Sequence, residues 1–186
     1  ESQRQVSYLD TQRRDLGKMG LILRERVKIK KGKVEESASL MLKMRSLSQE
    51  KLQPHLLGIA EGLTAPMKEE ADIVGFADGV IGKERKYFSL SRSLKKIPRA
   101  NLKTYDDYAE YFPGLKIPGV YEKVAALPME RRRVTEYTLD SATIDFNGNI
   151  SAVTVSVWVG KDSRPILGEI SWDAKTENPL SRELFR

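Results

Sequence analysis

Positive charge recurs at alternate positions in several separated stretches of this chain. In Leu21 to Lys30, LILRERVKIK, an extended backbone puts Arg24, Arg26, Lys28 and Lys30 on one face. Leu21, Leu23, Val27 and Ile29 fall on the other, with Glu25 the exception. Val34 to Arg45 repeats the arrangement, Ser39, Met41, Lys43 and Arg45 alternating against Ala38, Leu40, Leu42 and Met44. Glu84 to Ser93 sets Arg85, Tyr87, Ser89 and Ser91 on one side, and Arg131 to Leu139 sets Arg131, Arg133, Thr135 and Tyr137. One such strand is a solvated surface. Several strands of one curled sheet bring their cations together, and uncompensated cations that close repel by several kcal/mol unless anions or carboxylates balance them. The matching chemistry is polyphosphate binding: each arginine offers paired donors to phosphate oxygens, and each lysine a point charge. The last strand, Ile166 to Asp173, carries Glu169, Ser171 and Asp173 on one face. Carboxylates at the rim of such a site suit a hard cation that bridges phosphate oxygens.

The elements that must position these residues follow from turns and periodicity. Tyr8 to Asp10 reads as a short extended piece, Arg13 to Met19 as a short amphipathic segment, and Gly20 as its break. Lys31-Gly32-Lys33 turns the two basic strands into a hairpin, whose basic faces coincide only in the right register. The segment 46–66 reads as a helical insertion, with Pro54 at a helix start and His55 a surface residue beside it. Ala71 to Ile81 reads as a strand with a turn at Asp78-Gly79; its glycines fit neither spacing of a phosphate-binding loop. Residues 104–127 read as two helices. Their stripe of Tyr105, Tyr108, Tyr111 and Phe112 is core packing rather than a base-stacking platform. Ser141 to Phe146 and Ile150 to Val159 flank Asn147-Gly148-Asn149, a tight-turn signal, and the tail from Asn178 reads as loosely held or weakly helical.

Composition bounds the rest. The chain has 186 residues, 31% charged and 40% hydrophobic, enough for one domain with a sizeable core. It has no cysteine and one histidine, which excludes disulfides, thiolate chemistry and cysteine zinc sites and disfavours a Ser-His-Asp triad. No apolar run approaches the roughly 20 residues of a membrane span. The chain starts at Glu1 without methionine, so a missing targeting segment decides little. A net charge of +6 points to an anionic partner.

Tyr8-Leu9-Asp10-Thr11, then Leu16, Gly20 and LILRER, then LMLKMR with Lys43 and Arg45, and finally GEISWD at Gly168 to Asp173, resemble in order the motifs of the CYTH superfamily, the triphosphate tunnel metalloenzymes. That family opens with an E-x-E-x-K strand, which Glu1, Gln3 and Gln5 do not make. The resemblance implies an α+β protein: a single domain over 1–186 built on an antiparallel β-barrel or strongly curved cup, the tunnel fold, with helices packed outside. It implies phosphate binding by Arg24, Arg26, Lys43, Arg45, Arg85 and Arg133. It also implies a Mg²⁺ or Mn²⁺ ion on Glu169 with Asp173 or Asp145. The expected activity is metal-dependent hydrolysis of inorganic triphosphate or a triphosphate-bearing small molecule, with an adenylate cyclase as a subtype. The alternatives are a non-catalytic polyanion- or ligand-binding protein of the same fold and, least favoured, a nucleic-acid binder.

Overall fold

The computed structural model describes residues 2–77, 80–146 and 149–171. The turn expected at Asp78-Gly79, most of that at Asn147-Gly148-Asn149, and the tail lie outside the described residues.

In chain order the elements are β1 (Ser2–Asp10), α1 (Asp15–Lys18), β2 (Leu21–Lys30), β3 (Lys33–Val34), β4 (Ser37–Ser46), β5 (Lys68–Ala77), β6 (Val80–Pro98), α2 (Tyr105–Ala109), α3 (Tyr121–Val124), β7 (Glu130–Phe146), β8 (Asn149–Val159) and β9 (Pro165–Ser171). The strands form one antiparallel sheet in the order β5-β6-β4-β2-β1-β7-β8-β9, with β3 pairing β2, curled into a half-barrel. Three expectations change. Tyr8 to Asp10 is the end of a nine-residue strand, and that strand lies between β2 and β7 and joins the two halves of the sheet. The stretches Arg131 to Leu139 and Ser141 to Phe146 are one strand, β7, with a register shift between Leu139 and Ala142. Segment 46–66 holds two 3₁₀ turns, Gln49–Lys51 and Pro54–Leu57, and the helices of 104–127 are only four and five residues long.

Paired residues in an antiparallel ladder share a face, so the register assigns every described strand residue to one of two sides. On the core side lie Leu9, Leu21, Leu23, Val27, Ala38, Leu40, Leu42, Met44, Leu90, Leu94 and Ile97. They pack with Leu16, Leu57, Leu102 and the aromatic stripe, of which Tyr105, Tyr108 and Phe112 are fully buried and Tyr111 partly buried. Tyr105 donates to the Leu115 carbonyl at 2.8 Å, which satisfies its buried hydroxyl. Helix α2 starts on a capping box: the Thr104 hydroxyl accepts from the Asp107 N–H, and the Asp107 carboxylate accepts from the Thr104 N–H at 2.6 Å.

Glu25, the exception in the basic strand, is explained on this side. It is 1% exposed, and it accepts from Arg131 Nη1 at 2.9 Å, Arg99 Nε at 3.3 Å and the Tyr108 hydroxyl at 3.3 Å. Arg131 also donates to Tyr108 at 2.7 Å and to the Leu102 carbonyl at 2.6 Å. A buried carboxylate is tolerable when paired and hydrogen-bonded in this way. The network ties β2 and β7 to α2 beneath the apolar layer.

Candidate functional site

The opposite side of the sheet collects the charge. Register rows run across it: Lys28, Arg4, Glu136 and Trp158; Arg26, Val6 and Val134; Arg24, Tyr8 and Arg132. On the other half lie Ser39, Met41, Lys43 and Arg45 of β4, Tyr87, Ser89 and Ser91 of β6, and Lys68, Glu70 and Asp72 of β5. The two basic faces of the first hairpin therefore coincide: Arg24 stands opposite Met41, and Arg26 opposite Ser39. Arg85 continues the β6 row and is engaged by a partner of its own.

Arg133 is the correction. It pairs with Ser7, and its neighbour Arg131 with Leu9, so both stand on the core side, while Arg132, opposite Tyr8, stands among the cations. Three consecutive arginines give β7 charge on both faces, and only its pairing with β1 decides which arginine goes where. Of the expected metal ligands, Glu169 pairs with Ser156, which places it on the cation side, at an exposed edge position. Asp173 and the side chain of Asp145 lie outside the described residues.

Most of these cations already have anions. Glu136, 1% exposed, accepts from Arg26 Nη2 at 2.7 Å and lies 3.6 Å from Arg4 Nη1. Asp72 accepts from Arg45 at 2.6 Å and from Lys43 at 3.3 Å; Glu70 accepts from Lys43 at 3.2 Å and from Lys68 at 2.5 Å. Burial acts to raise the Asp72 and Glu70 pKa values, but Lys43, with Arg45 at Asp72 and Lys68 at Glu70, outweighs it and holds both below their ordinary values. Arg24 differs. No described carboxylate lies within ion-pair reach of it; its Nη2 rests against Met41 Sδ at 3.1 Å. Burial first, then the charge of Arg26, pull its pKa below the ordinary arginine value, against the opposing pulls of Tyr8 and Glu136.

Among the described residues, eight buried side-chain polar atoms lack a hydrogen-bond partner in the protein, and seven sit on this one face. They are Ser2 Oγ, Arg24 Nε, Arg26 Nε, Arg45 Nε, Ser89 Oγ, Glu136 Oε2 and Trp158 Nε1; Arg92 Nε is on the core side. Buried polar groups are nearly always paired, so these atoms are left to water or to a ligand. Sequence reading missed Arg4, Arg132, Glu136 and the Glu70–Asp72 pair. The alternating Glu70-Ala71-Asp72 was a readable signal; for the others the strand parity was not readable, because both faces carry polar residues.

Among the described residues, no three His, Asp or Glu side chains gather as a metal site. Among the same residues, no helix is long and apolar enough to cross a membrane. No family model, curated protein or solved structure matches the chain.

Proposed function

We propose that the polar face lines the cup and binds a small molecule bearing a polyphosphate, with the helices on the opposite, outer side. The observation that supports this reading is the set of orphaned guanidinium nitrogens on Arg24, Arg26 and Arg45, together with Ser89 Oγ, within one field of cations. Arg24 is the anchor, since among the described residues no carboxylate is paired with it that an anion would have to displace. Arg26, Lys43 and Arg45 exchange part of their contact with Glu136, Glu70 and Asp72 for phosphate oxygens. Binding is the primary reading because those three carboxylates are engaged by cations rather than turned toward a shared ion.

Hydrolysis of the same ligand is the second reading, favoured by the position of Glu169 on the same side as Ser156. The described carboxylates do not gather three together as a Mg²⁺ or Mn²⁺ site. The buried aromatic stripe leaves little support for nucleic-acid stacking.

Isothermal titration with inorganic tripolyphosphate, with and without Mg²⁺, tests these readings. We expect metal-independent binding that Arg24→Gln weakens about 10- to 100-fold, the scale of one lost charged hydrogen-bonding group. Unchanged affinity in that variant rejects the site. Phosphate release that requires Mg²⁺ would establish the hydrolase, and salt-sensitive RNA binding with indifference to tripolyphosphate would replace both readings.

A further inference from the structure

The polar face changes character across its width. Beyond Arg4 and Arg26, a straight register row runs Ser2, Thr138, Ser156 and Glu169 across β1, β7, β8 and β9. The adjacent row holds Glu136 and Trp158. Thr138 and Ser156 are 5% and 6% exposed, and three atoms here, Ser2 Oγ, Trp158 Nε1 and Glu136 Oε2, are buried without a hydrogen-bond partner in the protein, Glu136 Oε2 having only the 3.6 Å ion pair with Arg4. This corner therefore offers an N–H donor, a carboxylate acceptor and hydroxyls that can do both.

We propose that this corner holds the hydroxylated part of a phosphorylated polyol or sugar whose phosphates lie on Arg26 and Arg24 of β2. The inference rests on the polyphosphate reading above and names the ligand's organic part. Charge and hydrogen bonding exclude the other classes. A further phosphate here would face Glu136 and Glu169. A cationic group would face Arg4 and Arg26. An apolar group would leave the orphaned donor and acceptors unpaired, which is unfavourable when they are buried. Vicinal hydroxyls give to Glu136 Oε2 and accept from Trp158 Nε1 at once. The two ends are contiguous, because Arg26 touches Glu136, the register partner of Trp158. The span from β2 to β8 is three strand spacings, about 14 Å, within reach of one phosphorylated sugar or inositol.

Titration of the full chain with two probes tests this: inorganic tripolyphosphate, which has no hydroxyl carbon skeleton, and myo-inositol 1,4,5-trisphosphate. Trp158→Phe removes the indole N–H while keeping the ring, and Thr138→Val combined with Ser156→Ala removes the hydroxyls. Each is expected to weaken inositol trisphosphate about tenfold and to leave tripolyphosphate within about twofold, which also shows that the variants fold. Equal losses on both probes, or no loss on either, overturn the inference. Wild-type protein that binds tripolyphosphate but not inositol trisphosphate overturns it and leaves the polyphosphate reading standing. Wild-type protein that binds neither overturns both.

Discussion

At the scale of single residues, charge on the two sides of the sheet does different work, and substitutions separate them. Glu25 neutralises Arg99 and Arg131 beneath the core layer. Glu25→Ala strands those cations and is expected to destabilise by about 3–5 kcal/mol, with tripolyphosphate affinity unchanged at a temperature where the variant is folded. Chemical denaturation with a parallel titration reads both. Arg26→Ala, by contrast, both weakens the ligand and leaves Glu136 with only the longer contact to Arg4, so binding and stability fall together. Arg24, with no ion-paired carboxylate among the described residues, gives the cleaner variant. The lowered pKa values of Asp72 and Glu70 set a direction with pH. A depressed carboxylate contributes stability that is full above the unfolded values, near 3.8 and 4.5, and that disappears as pH falls through the lower folded values. Thermal midpoints followed from pH 6 to pH 3 should drop, and Asp72→Asn should flatten that drop; an equally steep fall in the variant would place the acid sensitivity elsewhere.

At the scale of elements, the connections are held by close approach more than by helix length. Gly114 sits where a Cβ would lie 2.2 Å from the Leu56 carbonyl oxygen, so the 3₁₀ turns at Pro54–Leu57 and Pro113–Leu115 meet backbone to backbone. Gly114→Ala must push them apart and is expected to destabilise by about 1–3 kcal/mol. Gly119, with positive φ but open space around it, supplies a comparison in which only backbone strain acts. Thr104→Ala removes one half of the α2 capping box and should lower stability by about 1 kcal/mol, measured by urea unfolding. Element types were largely legible: alternation gives β2 to the residue and β4 nearly so except at its start, since Val34 belongs to β3 and β4 begins at Ser37, and the tyrosine stripe reads as core. Helix lengths were not. Pro54, Pro113 and Pro118 cut the apolar periodicity of their segments into single turns, and packing on the sheet, not propensity, holds what remains.

For the whole molecule, the polyphosphate binding proposed for the polar face predicts an effect on stability as well as on occupancy. Tripolyphosphate at about 100 times its dissociation constant should stabilise by about 2.7 kcal/mol, a rise of about 5–10 °C in thermal midpoint for a chain this long. Arg24→Gln should abolish most of that rise, and added salt should shrink it, because exposed charge is screened within about 8–10 Å. A shift independent of salt would argue against a charge-driven site.

What the sequence by itself determined was local: alternate side chains point to opposite faces, so Arg24 and Arg26, or Lys43 and Arg45, had to share a side within each strand. Which side each strand turns to the cations is a property of pairing. Arg132 rather than Arg133 joins Arg24 because Tyr8 stands opposite Arg132, and a register one residue away would have exchanged them. The partners from distant strands, Arg26 with Glu136 and Arg45 with Asp72, depend on strand order in the curled sheet. Periodicity carries no information about strand order, since contacts between segments far apart in the chain are chosen by the packing of the whole.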